Sequence, residues 1–263
     1  MTNGGVGIMK LRRLLPFSGL LLLVLWSVAV RSSRSSLLPG PWAVGRGLVE
    51  LASRGLLFRY LVASLFRVTW GYFGAVALAI PVGVALGWYG RVDRMLSPLF
   101  QLLRPISPLA WIPLAILWFG VGDTPAIFII FLGSFFPMVL TTAAAVRNIS
   151  TVHINVARNF GLSPADVLRK LILPAILPKL IVGLRLSLGI AWLVVVAAEM
   201  IAVNSGLGFL IIDARNAGNR YDLVIAGMVM IGSTGLLLDI GMRRLERLRR
   251  LRWGYAQTAK GGS

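Results

Sequence analysis

The sequence contains no cysteine and only one histidine, His153. Without cysteine the chain can form no disulfide, thiol nucleophile or thiolate metal site. Because His153 has no second imidazole or thiol to join it, we predict no metal site and expect it to lie on the surface. The 263 residues also contain no G-x-x-x-x-G-K-[ST] motif, the usual loop for ATP phosphates. These absences exclude most catalytic chemistry, and we expect a protein that is not itself an enzyme.

Charged residues are also scarce. They make up 14% of the chain, against roughly 25% in an ordinary soluble domain, while 57% of the residues are apolar. About 20 apolar residues suffice to cross the hydrocarbon core as a helix, and a helix satisfies its own backbone groups there. The pattern predicts an all-α membrane protein with six transmembrane helices. The apolar runs are 14–30, 64–89, 105–120, 124–146, 181–203 and 223–242.

Basic residues give the chain a net charge of +18, and their placement predicts a topology. With the N-terminus in the cytoplasm, eighteen lie on the inner side and eight on the outer side. This bias places both termini in the cytoplasm and predicts a multi-pass inner-membrane protein. It also accounts for most of the basic excess without nucleic acid. The inner basic residues lie in 10–13, 91–104, 147–179 and the tail from 243, and the outer ones in 31–67 and 215–220.

The first apolar run has two interpretations. We predict a retained helix, and the alternative is a signal peptide cleaved near Ser27 and Ala29. Residues 31–50, rich in serine, proline and glycine, indicate an external connection. The predicted domains are therefore listed as follows: 1–58 for the first helix and connection, 59–253 for the transmembrane core with a cytoplasmic loop at 147–180, and 254–263 for a cytoplasmic tail.

Acidic residues number nine, and only Glu199 lies well inside an apolar run. Ion-coupled transporters use intramembrane carboxylates as relays, so a single one gives little support to such a carrier. Glu199 either reaches the outer interface or bonds a neighbouring helix, or it belongs to a translocation path. Arg185 and Asp239 lie near helix ends, where snorkelling and an Asp239–Arg243 pair explain them structurally.

The loop between the fourth and fifth runs has strong local signals for two short helices. Thr151 is the predicted N-cap of the first, and Gly161 supplies a left-handed residue that ends it. Ser163 is the predicted N-cap of the second, Pro164 its first residue, and Asp166 completes a capping pattern.

Two prolines, Pro174 and Pro178, are expected to limit the second helix. Its apolar stripe lies beside the basic residues Arg169 and Lys170. Such a helix-turn-helix suits docking into the groove of a partner protein, and the alternative is a loop that lies on the membrane surface. The stripe consists of Val167, Leu168, Leu171 and Ile172.

The third apolar run is short and contains Pro108 and Pro113. Proline removes backbone donors, so we predict a kink or unwound turn, which a membrane tolerates where protein or water satisfies the freed carbonyls. We therefore predict that this run lines a cavity. Trp111, Trp118 and Trp192 could line it as well, although tryptophan is also frequent at membrane interfaces. In the second run, small residues are expected to permit close helix packing: Gly74, Gly83 and Gly87.

The loop resembles the coupling loop of permeases from ATP-binding-cassette importers, whose pattern is E-A-A, three residues, G, then I-x-L-P after a spacer. Two of the first three places and the isoleucine place differ here. The likeness extends over about residues 39–253, through "SLFRVTWGYFGAVALAIPVGVALG" and "GLRLSLGIAWLVVVAAEMIAVNSGLGFLIIDARN", and it favours the branch for aliphatic sulfonates, taurine, nitrate and bicarbonate. The residues in the motif's places are Asn155, Val156, Ala157, Gly161, Leu171, Leu173 and Pro174.

This resemblance implies the type I importer fold, a homodimer of six-helix subunits in the lipid membrane, two ATPases on the coupling loops and an extracytoplasmic substrate-binding protein. ATP and magnesium would then bind the partner ATPases, and this chain would need no cofactor or metal. The alternatives are a self-sufficient ion-coupled carrier or channel, and a membrane scaffold or sensor without transport. The residues expected to couple to the ATPase are Asn155, Val156, Ala157, Phe160, Gly161, Ser163, Asp166 and Arg169. Those expected in the translocation path are Trp111, Pro113, Trp118, Trp192 and Glu199.

Overall fold

A computed structural model of the protein describes residues 21, 23–32 and 38–252. This part of the chain is helical and is connected by short turns. The helices are α1 Leu23–Ser32, α2 Pro41–Ser53, α3 Leu56–Trp88, α4 Gly90–Leu103, α5 Ile112–Phe119, α6 Asp123–Arg147, α7 Thr151–Asn159, α8 Pro164–Asp166, α9 Leu173–Ala202, α10 Leu207–Asn216 and α11 Tyr221–Arg252.

Among the described residues, four helices are long and apolar enough to cross a membrane: α3, α6, α11 and the continuous helix Pro164–Ala202. A fifth candidate is the pair α4 and Pro108–Phe119, which is bent by 83°. The predicted third span at 105–120 is too short to cross by itself, because α5 has only eight residues and is about 12 Å long, and the candidate span includes α4 as well. The expected unwound turn is present as the 3-10 turn Pro108–Trp111.

The first predicted span lies only partly among the described residues. Its positions 21 and 23–30 are helical and belong to α1. Residues 14–20, the basic residues at 10–13 and the tail 254–263 lie outside the described residues. The three-part division of the chain stays a prediction.

The helix that follows the loop does not end at Pro174 or Pro178, contrary to expectation. Six residues of π-helix, Val167–Ile172, join α8 to α9, so that one helix of 39 residues runs from Pro164 to Ala202. A π-turn pairs each N–H with a carbonyl five residues earlier, and it shifts the hydrogen-bond register of the helix. Pro174 falls at the start of α9, where a missing N–H is tolerated best.

Close packing of α3 on α6 forms the centre of the bundle. A β-carbon on Gly83 would lie 2.5 Å from the Cβ of Thr142, and one on Gly87 would lie 2.6 Å from the Cβ of Val146. These two glycines have the predicted packing role, whereas Gly74 has only an ordinary contact with a phenylalanine ring. The buried row on α3 repeats every four residues, as in helix pairs that approach through small residues. It comprises the buried residues Gly71, Ala75, Ala79 and Gly83 and continues to the partly buried Gly87.

Ion pairs fasten the outer elements to this centre. Arg220 donates to Glu50 on α2 at 2.7 Å and to Asp222 at the start of α11 at 2.8 Å. This hydrogen bond from the Arg220 guanidinium holds the pKa of Glu50 below its usual range. On α9, Arg185 pairs with Asp239 at 2.7 Å, so its charge is met by a carboxylate within the bundle.

Candidate coupling loop and translocation site

The first loop helix has the predicted shape with a shift of one residue at its start. Ser150 is the N-cap residue and Thr151 begins the helix, so the prediction of Thr151 as N-cap was wrong by one position. Gly161 has φ of 75°, in the left-handed region, as predicted. The amide of Leu162 then donates to the carbonyl of Ala157 at 3.2 Å, which closes the helix end.

The second loop helix begins as its sequence indicates. The Ser163 hydroxyl accepts from the amide of Asp166 at 3.2 Å and donates to its carboxylate at 2.7 Å. Pro164 is the first helical residue, and Lys170 pairs with Asp166 at 2.7 Å. These local contacts fix the direction in which the helix leaves Gly161.

The apolar stripe of the second loop helix faces this chain's own core. Val167 and Ile172 are buried, and Leu168 and Leu171 pack against the same cluster, which includes Met138. The stripe therefore anchors the loop to α6 and α9, and it leaves Arg169 exposed at the surface. The apolar side of this helix is therefore already covered by the same chain, and docking of the loop on a partner stays a prediction.

The exposed apolar surface of the loop lies on α7 instead. Val152, Val156 and Phe160 are 65%, 46% and 81% exposed, and they recur every four residues. That spacing places them on one side of the helix. Asn155 is exposed beside them, whereas Ala157 packs inward. We did not select Val152 from the sequence, although its four-residue spacing from Val156 and Phe160 was a usable signal. His153 is exposed on the same helix, as predicted.

A buried ion pair lies at the opposite end of the bundle. Arg67 on α3 is 2% exposed and donates to the carboxylate of Glu199 on α9 at 2.6 Å. Glu199 is completely buried. Arg67 also donates to Asp123 at 2.7 Å and to the carbonyl of Ser205 at 2.8 Å. This guanidinium therefore ties together α3, the start of α6 and the turn after α9.

The remaining oxygen of Glu199 is fully used as well. It accepts from the Ser64 hydroxyl and from the amide of Gly208, each at 2.9 Å. Gly206 leaves the space that the carboxylate occupies, because a β-carbon there would lie 2.3 Å from the carboxyl carbon. Among the described residues, no buried side-chain polar atom lacks a partner. Of the interpretations given for Glu199, this geometry matches the one in which it bonds a neighbouring helix.

Sequence reasoning missed the partners of Glu199. Arg67 was placed in an outer loop, but it lies inside the bundle at the end of a buried row on α3. Its polar partners are 56 to 138 positions away in the chain. The signal that could have found it is that residues 68–88, which directly follow Arg67, carry no charge and therefore predict that its helix continues into the membrane. In the described part of the chain, no group of three or more His, Asp or Glu side chains could hold a metal ion.

The predicted path tryptophans lie in two separate places. Trp111 and Trp118 have ring centres 6.5 Å apart at the two ends of α5, where Pro113 is exposed. Trp192 is 7% exposed and donates to the carbonyl of Ile231 on α11 at 3.1 Å. Trp192 is thus a packing residue between α9 and α11 in this structure, and the path roles of all these residues stay predictions.

A cavity of about 460 Å³ lies beside α6, where the segment between α4 and α5 is broken. It reaches along the middle of α6 towards the Arg147 end. None of the five predicted path residues lines it, but Pro108, from the same predicted span, does. The lining residues are Arg104, Ile106, Pro108, Leu132, Gly133, Phe136, Pro137, Leu140, Thr141 and Ile190.

Comparison with known proteins places residues 76–251 in the family described as binding-protein-dependent transport system inner membrane component. The chain is 40% identical over 235 residues to the taurine transport system permease protein of Escherichia coli, covering 86% of this chain and 84% of that one. It is 38% identical over 250 residues to the bicarbonate transport system permease protein of Synechococcus elongatus, covering 89% and 88%. A putative ABC transporter permease protein of Methanocaldococcus jannaschii is 41% identical over 232 residues, covering 86% of each chain.

The fold also has solved counterparts. Structures of the MetNI methionine ABC transporter in inward-facing conformations superpose with a TM-score of 0.66 at 21% identity, covering 73% of this chain and 95% of the matched chain. At that identity the likeness concerns the arrangement of helices. The predicted type I importer permease fold is therefore confirmed, but six spans are not, because the described residues contain four candidate spans, or five if the bent pair counts as one.

Proposed function

The chain belongs to the family of binding-protein-dependent transport system inner membrane components, and from this premise we propose that it imports a small oxyanion or sulfonated organic acid. It is the permease subunit of an ABC importer, as are its taurine and bicarbonate relatives. The proposed substrates are nitrate, bicarbonate and a sulfonate such as taurine. The observation that carries the proposal is identity of about 40% to these permeases along most of each chain.

The proposed partners follow from the loop surface. Two ATPases, which bind ATP and magnesium, would each receive the exposed row of α7 in a groove, as amphipathic helices commonly dock. Val156 and Phe160 supply the apolar contact, and Gly161 sets the angle between α7 and the next helix. A second copy of this chain and an extracytoplasmic binding protein complete the assembly. Closure of the ATPases on ATP would draw the two loops together and move the helices attached to them.

Coupling of this kind needs a difference in binding between two states. A ligand shifts a conformational equilibrium only as far as it prefers one state over the other. In the proposed cycle, ATP on the partner subunits and the loaded binding protein supply that difference, one from each side of the membrane. The covered apolar stripe of the second loop helix supports this scheme, because it fastens the docking helix α7 to α6 and α9.

We expect α7 and both termini to face the cytoplasm. A single cysteine at position 159, which is exposed at the end of α7, should react with a membrane-impermeant maleimide only after the cells are opened. Leaving out Arg67, which is buried, and Arg104, which lines the cavity, seventeen basic residues on that side against seven on the other are the physical reason. A cysteine in place of Asn204, which is exposed at the opposite end of the bundle, is the matched control and should react in intact cells. Reversed labelling of the pair would show that the topology is inverted.

The purified chain alone is expected to hydrolyse no ATP, because its sequence contains no phosphate-binding loop. In proteoliposomes with the partner ATPases, hydrolysis should appear and should rise with loaded binding protein, and substrate uptake should follow it. The measurement is phosphate release together with uptake of labelled taurine, bicarbonate and nitrate. Uptake that continues without any ATPase would refute the importer and would favour an ion-coupled carrier.

A further inference from the structure

The 460 Å³ cavity beside α6 contains one charged residue. Arg104 is the only ionisable side chain among its ten lining residues, and the others are apolar except for Thr141. The Thr141 hydroxyl already donates to the carbonyl of Pro137 at 2.8 Å. The cavity therefore offers a solute one cation against an apolar wall. Its volume lies within the range of about 300–1,000 Å³ that is usual for small-molecule sites.

The guanidinium of Arg104 has no ionic partner among the described residues. Several arginines packed into the bundle do meet carboxylates. Arg67 pairs with Glu199 and Asp123, Arg147 pairs with Asp93, and Arg185 pairs with Asp239. The positive charge of Arg104 thus remains available to a bound anion.

The position of the cavity along α6 makes the unpaired charge of Arg104 significant. The lining residues of α6, positions 132–141, begin nine residues after Asp123, about 14 Å along the helix, and end about 9 Å before Arg147. Charged side chains at membrane depth are costly, and they generally line a water-filled cavity or a path for solutes.

The backbone around Arg104 supports the same conclusion. Arg104 follows the last residue of α4, and the chain is irregular until the 3-10 turn at Pro108, with a bend of 83° between the two helices. Irregular backbone at membrane depth is tolerated where it is covered by protein or lines a cavity. The break in the third span therefore brings a cation to the cavity wall.

We propose that Arg104 is an anion-binding residue of the translocation path, and that it binds two oxygens of a small oxyanion in this cavity. A planar guanidinium forms two parallel hydrogen bonds with carboxylate-like or phosphate-like oxygens. Nitrate, bicarbonate and the sulfonate group each present such oxygens. Arg104 is exposed and therefore accessible to such an anion. Transport through this site rests on the function proposed above, whereas anion binding does not.

Binding is tested on the purified chain without its partners. Nitrate, bicarbonate and taurine are each added to the detergent-solubilised parent, with chloride at equal concentration as the reference. A ligand that binds only the folded state raises the thermal midpoint. At least one of the three should stabilise the parent more than chloride does. Arg104→Gln should lose that gain, and Arg104→Lys should keep part of it. No gain for the parent, or an equal gain for Arg104→Gln, overturns the proposal.

Transport is tested in proteoliposomes with the ATPases and the binding protein. Arg104→Gln should lower uptake at limiting substrate at least about tenfold, the loss expected for one charge-assisted hydrogen-bonding group. Arg94→Gln is the matched control, because Arg94 is an exposed arginine of α4 that does not line the cavity. It should match the parent. Normal uptake in Arg104→Gln, or an equal loss of uptake in Arg94→Gln, contradicts the role of Arg104. Failure of the parent to transport contradicts the proposed function instead.

Discussion

Arg67→Met is expected to destabilise the protein by about 3–5 kcal/mol, the usual result of breaking a buried ion pair by removing one partner. Glu199 would remain completely buried, with only the Ser64 hydroxyl and the Gly208 amide as donors. The link from α3 to Asp123 would also be lost. The expected result is a markedly lower thermal midpoint of the detergent-purified protein, measured by loss of monodisperse material after heating.

Two further variants separate the ion pair from the general effect of losing an arginine. Arg59→Met removes an exposed arginine two helical turns earlier on α3 and should leave the midpoint near that of the parent. The double variant Arg67→Met with Glu199→Gln should recover part of the loss, because no buried charge is left without a counter-ion. A single Arg67→Met variant as stable as the parent would show that the pair contributes nothing to the fold.

Gly161→Val is expected to uncouple ATP hydrolysis from uptake while the protein stays folded in the membrane. Gly161 has φ of 75°, and a β-carbon there would meet no atom within 4 Å, so the backbone alone is strained. A β-branched residue in this region costs roughly 1–2 kcal/mol. That corresponds to about a 5- to 30-fold loss of loops with the native turn. The measurements are copurification of the ATPase, hydrolysis in proteoliposomes and substrate uptake.

Gly161→Asn is the matched control for this experiment. Asparagine enters the left-handed region more readily than valine does, so this variant should be milder in all three measurements. The pair tests backbone geometry separately from the loss of glycine. If the valine variant equals the parent throughout, the turn does not set the position of the docking helix, and the coupling role of this loop has to be abandoned.

The coupling loop could be predicted from sequence because its signals are local. A serine N-cap followed by proline and aspartate, and a glycine before it, specify a turn through contacts within four residues. The same reasoning failed at Pro174, where proline was expected to end the helix. Tertiary packing of Ile172 and Ile176 in the core favours a continuous helix, and a π-turn accommodates the proline.

The ion pair between Arg67 and Glu199 and the cavity beside α6 could not be predicted in the same way. Arg67 and Glu199 are 132 positions apart, and nothing near either residue indicates its partner. Composition does show that a carboxylate in an apolar run needs a donor, but it does not say which one. Likewise the two prolines of the third run predicted an irregular segment near a cavity, whereas the bend of 83° and the exposure of Arg104 to that cavity depend on how α4 packs.

The π-turn that joins α8 to α9 leaves the helix unbroken, so that α9 can tilt as one rigid body. From Leu173 to Ala202, α9 is about 45 Å of continuous helix, with the loop at one end and Glu199 near the other. If this rod pivots near the loop, a tilt of about 10° moves its far end by about 8 Å, from the rise of 1.5 Å per residue. The ion pair with Arg67 lies at that end, so in the proposed cycle a movement of the loop would be passed along α9 to α3. A kink at Pro174 or Pro178 would let the loop end move without the rest of α9, whereas the unbroken helix moves together with its loop.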